Sequence, residues 1–136
     1  MLPHVISETF VVLFGFVQYL YLTHPNVSFL ANELSQYMEA PTEIHMKDAK
    51  RLLRYLQRTL DHGLHLSRTT DLSLTTFCVS DCARDTQNYK STATYLIYMG
   101  PNAISWFSKK QPTIAKSSMK GEYRTIATTT TELLWL

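Results

Sequence analysis

A chain of 136 residues has room for one domain, or for a small domain with an appendage. With 45% hydrophobic and 18% charged residues it belongs among globular chains, not disordered ones. A net charge of +2 is too small to argue for nucleic acid, but the charges are unevenly placed. No Lys or Arg precedes Lys47, whereas Lys109, Lys110, Lys116, Lys120 and Arg124 crowd against a single acid, Glu122. Such a face attracts phosphates, and it is also how a solvated loop and helix surface reads.

The first stretch, Met1 to Leu22, is strongly apolar, and only Gly15 and Gln18 interrupt Phe10 to Leu22. A membrane span needs about 20 apolar residues, and this run is too short. As a secretory signal its apolar length fits, yet no Lys or Arg precedes it, Glu8 intrudes and no Ala-x-Ala follows. A core element is the third reading. Asn26, just after Pro25, is placed to cap a predicted helix running to about Glu39. Pro41-Thr42 then opens the clearest helix. Ala49, Leu52, Leu53, Leu56 and Leu60 form one apolar stripe, Lys47, Lys50, Arg51, Arg54 and Arg58 occupy the other faces, and Gly63 ends it.

Beyond Gly63 the period changes to two. Gly63 to Ser67 and Leu72 to Ser80 read as strands joined by the polar turn Arg68-Thr69-Thr70-Asp71. After the polar stretch Arg84 to Lys90, strands are predicted at about Thr92–Met99 and Ala103–Phe107, with Gly100-Pro101-Asn102 as the hairpin turn. Pro112 marks a loop. A helix is predicted from about Ser117 to the end, weakened by the β-branched run Thr128 to Thr131. Cys78 and Cys82, four apart in an extended segment, would hold their Cα atoms roughly 13 Å apart, too far for a disulfide. No His or Cys pair accompanies them at zinc-ligand spacing, so they read as free thiols.

The word order Ser91-Thr92…Gly100-Pro101-Asn102…Ile104-Ser105-Trp106…Ser108-Lys109-Lys110-Gln111-Pro112…Ser117-Ser118…Glu122-Tyr123-Arg124 is distinctive. It resembles the ribonuclease H domain of copia-type LTR retrotransposon polyproteins. Upstream, Gln18-Tyr19-Leu20, Pro25 to Phe29 and Pro41 to Leu56 resemble the segment that joins reverse transcriptase to that domain. The resemblance implies an α+β chain: a helical reverse-transcriptase-tail-like segment over residues 1–62, then a truncated ribonuclease H-like domain over 63–136 with three antiparallel strands and one helix. It makes the apolar N-terminus a core helix or strand of that tail.

Ribonuclease H enzymes cut the RNA strand of a hybrid with two divalent ions held by clustered carboxylates. The family's first-strand motif reads aromatic-Ser-Asp-Ala-Asp-Trp-Ala-Gly-Asp. Here, from Phe77, the chain reads Phe77-Cys78-Val79-Ser80-Asp81-Cys82-Ala83-Arg84-Asp85. Val79 therefore occupies the metal-binding aspartate position, while Glu122 matches the helix carboxylate. Asp81 is one strand repeat further on, roughly 6.6 Å away, too far for magnesium–oxygen bonds of about 2.1 Å. The remaining ligands are expected beyond Leu136, and the reverse transcriptase aspartates upstream. The resemblance thus implies a catalytically dead domain with no metal, no cofactor and only vestigial Glu122.

Two binding readings remain. Arg51-Leu52-Leu53-Arg54 fits Arg-x-Leu-Arg, the translocation motif of secreted oomycete effectors, whose partner would be a protein of the host cell. The companion Glu-Glu-Arg motif is absent, and the copia-type family carries a similar Lys-Arg-x-Leu-Arg-Tyr-Leu helix for packing. The other reading is weak, sequence-independent nucleic-acid binding by Lys109, Lys110, Lys116, Lys120 and Arg124, with Trp106, Phe107 and Tyr123 nearby. A selectively neutral retroelement remnant with none of these functions stands beside both.

Overall fold

The structure, a computed structural model, describes residues 4–81 and 89–136, with side chains in the first helix from Glu8 onward. Cys82, Ala83, Arg84 and Asp85 of the first-strand motif lie outside the described residues. The chain separates into two compact units, one up to Leu64 and one from His65. It is α+β, with helices in the first unit and an antiparallel sheet with one long helix in the second.

The first unit holds α1 (His4–Leu20), a 3₁₀ turn (Pro25–Val27), α2 (Ser28–Ser35) and α3 (Glu43–Arg58). Phe10, Phe14 and Val17 recur at helical spacing on one side of α1 and are at most 2% exposed. They close a core with Val27, Ala31, Leu34, Ala49 and Leu52. Val12, Phe16 and Tyr19, on other faces of α1, are exposed. Among the described residues no helix is long and apolar enough to cross a membrane.

Asn26 does not cap a helix. It sits inside the 3₁₀ turn, where its side chain bonds to the Tyr55 hydroxyl, and α2 ends at Ser35 instead of Glu39. Pro25 favours this outcome, because its fixed φ starts a tight turn one residue early. Thr42 does cap α3. His45 stands where a capping box ordinarily has Glu: Thr42 N–H donates to its Nδ1 at 3.1 Å while the Thr42 side chain accepts from the His45 backbone. The His45 ring also stacks on Tyr37, centroids 3.8 Å apart.

The apolar stripe of α3 is narrower than expected. Ala49 and Leu52 are buried and Leu56 partly so, but Leu53 is 39% exposed and Leu60 lies past the end of the helix at 79%. The helix stops at Arg58, four residues before Gly63's predecessor, because Thr59 leaves the helical region and its hydroxyl takes up the Tyr55 carbonyl at 2.9 Å.

In the second unit β1 (Leu74–Asp81), β2 (Thr92–Met99) and β3 (Asn102–Lys110) form an antiparallel sheet in the order β1-β2-β3. Gly100 and Pro101 make the two-residue turn between the paired Met99 and Asn102. Gly100 has φ +55°, and a Cβ there would stand 2.7 Å from the Asp71 carbonyl oxygen, so glycine is required twice over. The register shifts between Ile97 and Tyr98, leaving Ile104 as the extra residue of a bulge.

Gly63 to Ser67 forms no strand. Leu64 and Leu66 alternate with polar residues, but both are exposed, and among the described residues no buried face receives them. The Asn102 side chain instead mimics a ladder partner: its Nδ2 donates to Ser67 O at 2.9 Å and its Oδ1 accepts from Ser67 N at 2.7 Å.

The helix α4 (Ser118–Leu133) packs on β1 and β2. Thr128, Thr129, Thr130 and Thr131 do not break it, because each hydroxyl donates to the carbonyl four residues back at 2.7–2.9 Å.

The burial difference on α3 gives a direct test. Leu52→Ala should destabilise the chain by about 2–5 kcal/mol, whereas Leu53→Ala should cost under about 1 kcal/mol, both read from urea unfolding midpoints. Equal losses would show that both leucines belong to the core.

Candidate functional site

The site predicted from the family motif depends on how α4 meets the sheet. Ser117 caps α4, its Oγ accepting from Lys120 N at 3.3 Å. One turn in, Gly121 is buried so closely that a Cβ would lie 3.0 Å from Ser80 Oγ and 3.3 Å from Ser91 Oγ. At the end of β3 the Gln111 backbone N–H donates to Ser91 O at 2.8 Å. Its side chain, 6% exposed, donates from Nε2 to Gly121 O at 2.9 Å and to Thr125 Oγ1 at 3.2 Å. Thr125 in turn donates to Gly121 O at 3.1 Å. Farther along, Ser105 Oγ donates to Glu132 Oε1 at 3.3 Å. Burial raises the Tyr95 phenol above its ordinary pKa; a hydrogen bond with Ser105 works against that shift and the Glu132 charge adds to it. Tyr95 stacks on Phe107, centroids 5.3 Å apart.

Strand alternation then decides where the motif residues point. Ser80 meets Gly121, and Cys78 lies opposite the buried Tyr95, so the even-numbered residues of β1 face α4. Phe77, Val79 and Asp81 belong to the other face, where Val79 is 62% exposed opposite Thr94. Glu122, next to Gly121, is exposed on α4. The two positions matched to metal-binding carboxylates, Val79 and Glu122, therefore share no face of the sheet. Among the described residues, no group of three or more His, Cys, Asp or Glu side chains is placed to hold one metal ion. Cys78 is a free, exposed thiol.

The basic residues are partly gathered. The Gln111–Gly121 bond brings the end of β3, with Lys109 and Lys110, beside the first turn of α4, which carries Lys120. Lys120, Tyr123 and Arg124 line an open depression with Ser117, Met119 and Ala127. Arg124 is tethered, its Nη1 donating to Thr113 O at 3.2 Å, and Lys116 is exposed in the preceding loop. Trp106 and Phe107 are half-buried strand residues and take no part in the depression. Periodicity did not reveal the role of Gln111, whose one sequence cue is its place between two lysines and a proline.

The Arg-x-Leu-Arg motif lies within α3 and is divided by it. Arg51 and Arg54 are exposed, with Arg54 Nε donating to Lys50 O at 3.3 Å, while Leu52 is 3% exposed in the core.

Comparison with known proteins gives several relatives. The chain is 47% identical over 122 residues to the retrovirus-related Pol polyprotein from transposon RE2 of Arabidopsis thaliana, covering 90% of this chain and 8% of that one. It is 41% identical to an uncharacterized mitochondrial protein of the same plant, over 89% of this chain and 50% of the other. It is also 37% identical to secreted RxLR effector protein 161 of Plasmopara viticola, over 90% of this chain and 87% of that protein. The chain thus spans only a small part of the polyproteins it matches. No family model matches it, and no solved structure does.

The seam between Gln111 and α4 is testable. Gln111→Ala removes two buried hydrogen bonds and should cost about 1–3 kcal/mol in urea unfolding. Gln111→Glu keeps the shape but cannot donate when ionised, so it should cost at least as much at neutral pH. A wild-type midpoint for Gln111→Glu would mean that the amide does not hold α4.

Proposed function

The chain belongs to the Pol polyprotein family of copia-type LTR retrotransposons, and we propose that it is a non-catalytic derivative of the reverse transcriptase–ribonuclease H region. The observation that carries this reading is Val79. A valine cannot bind a metal, and it sits on the sheet face away from α4, where Glu122 is exposed. Two-metal cleavage needs carboxylates converging within a few ångströms of both ions. Asp81 shares the face of Val79 and so does not converge on Glu122 either. The basic depression on α4 supports at most a salt-sensitive contact with phosphates.

The purified chain should leave an RNA–DNA hybrid intact with magnesium or manganese, and Val79→Asp should not restore cleavage, because the restored carboxylate would point away from Glu122. Metal-dependent cleavage by the wild type that disappears in Glu122→Gln would overturn the reading.

A second reading, a secreted effector acting in plant cells, is favoured by the likeness to RxLR effector protein 161 along nearly all of both chains and by the outward-facing Arg51 and Arg54. Under it, Arg51→Ala with Arg54→Ala should change stability by no more than about 0.5 kcal/mol. The double variant should lose activity when delivered by secretion and keep it when expressed inside plant cells. If the N-terminal segment does not direct secretion of a reporter, the effector reading fails and the non-catalytic reading stands unchanged.

A further inference from the structure

The first unit carries a motif that stands outside both functional readings. Asn26-Val27-Ser28 has the form Asn-x-Ser with x other than Pro, the sequence that accepts an N-linked oligosaccharide. The other three asparagines, Asn32, Asn88 and Asn102, have no Ser or Thr two places on. Three-residue motifs also arise by chance, so what matters is whether the fold leaves room for a sugar at this one.

Asn26 lies in the 3₁₀ turn Pro25–Val27 between α1 and α2, and its side chain is exposed. Its Nδ2 donates to the Tyr55 hydroxyl on α3, a residue that is itself 41% exposed. The amide therefore sits at the rim of the first core. A sugar on Nδ2 would extend into solvent and displace no core side chain, and the nitrogen would still carry one hydrogen. Val27 and Ser28 are turned the other way, 1% and 5% exposed. An enzyme that has to read the Ser28 hydroxyl reaches it only before the first unit folds. The motif is thus buried at its third residue yet open at its first, which suits addition during translation and not afterwards. Tyr55 is one helical turn beyond Arg51, so Asn26 borders the surface that carries the first arginine of the Arg-x-Leu-Arg motif.

We infer that Asn26 is an N-glycan acceptor, modified as the chain enters a secretory lumen and before the first unit closes over Ser28. In that step Nδ2 bonds to C1 of an oligosaccharide carried on a lipid pyrophosphate. The C1–oxygen bond to the pyrophosphate breaks, the lipid pyrophosphate leaves, and the amide gives up one proton. The inference deepens the secreted reading and rests on it for the natural route into the lumen.

The test supplies that route separately, so that failure of the native segment to export and failure of Asn26 to be modified are distinct results. The full chain, with α1 kept, is expressed in plant cells behind a cleavable leader of known efficiency, and only leader-cleaved molecules are scored. They should show a single mobility step that an endoglycosidase removes, with the sugar mapped to Asn26 by mass spectrometry. Asn26→Gln and Ser28→Ala should each abolish the step, and Ser28→Thr, which keeps a hydroxyl, should retain it. Because transfer precedes folding, these outcomes do not depend on the stability of the variants. Leader-cleaved wild type without the step would overturn the inference, as would a step that persists in Asn26→Gln or Ser28→Ala.

Discussion

The close approach at Gly121 is the constraint on which the second unit depends. With no Cβ at that position α4 settles near enough to the sheet for its backbone to meet Ser80, Ser91 and the Gln111 amide. The helix face that docks is made of Gly121, Thr125 and Thr129, so little apolar area is buried there. Directional bonds take its place, each worth roughly 0.5–1.5 kcal/mol net. Such a seam stabilises less than an apolar one but tolerates no sliding, since a shifted helix would leave buried donors unpaired.

That fixed register has a chemical consequence. Once Gly121 is opposite Ser80, strand alternation points Val79 and Asp81 to the far face and leaves Glu122 exposed beside the seam. On the proposed reading, the valine at the position matched to a metal-binding aspartate is one of two obstacles to metal chemistry, the other being direction. It also has a physical logic of its own. A valine on an exposed strand face is a good β-former and offers apolar area, where an aspartate would bring charge to the sheet edge.

The elements that could be read from sequence are those whose burial is periodic. β2 alternates Ala93, Tyr95 and Ile97 inward with Thr92, Thr94 and Leu96, and its predicted limits agree with the structure. β1 came within two residues at its start and one at its end, and α4 within one residue at its start and three at its end. Gly63 to Ser67 misled because alternation implies a strand only when a partner and a buried face exist, and Asn102 supplies a side-chain substitute for the partner. On α3 the stripe looked wide because Leu53 and Leu60 flank the true contact line of Ala49, Leu52 and Leu56. The seam at Gln111 was not legible, since a buried polar residue leaves no periodic trace. The family resemblance located Val79 and Glu122 as sequence positions, but the relative direction of their side chains follows only from the packing of α4.

The apolar start of the chain bears on the choice between the two functional readings. Phe10, Phe14 and Val17 are the α1 share of the first core, packed with Val27, Ala31, Leu34, Ala49 and Leu52. Truncating one buried Phe to Ala typically costs about 3–5 kcal/mol, and a whole domain is stable by only about 5–15 kcal/mol. Cleaving this segment as an export signal would remove two such phenylalanines and a valine together, and would uncover the apolar sides of α2 and α3. The motif arginines would then be carried on a helix without its core, and 16-residue helices are marginal alone in water. Export with cleavage and a folded first unit are therefore incompatible. An effector built on this chain has to keep α1 after export, or present Arg51 and Arg54 from an unpacked segment.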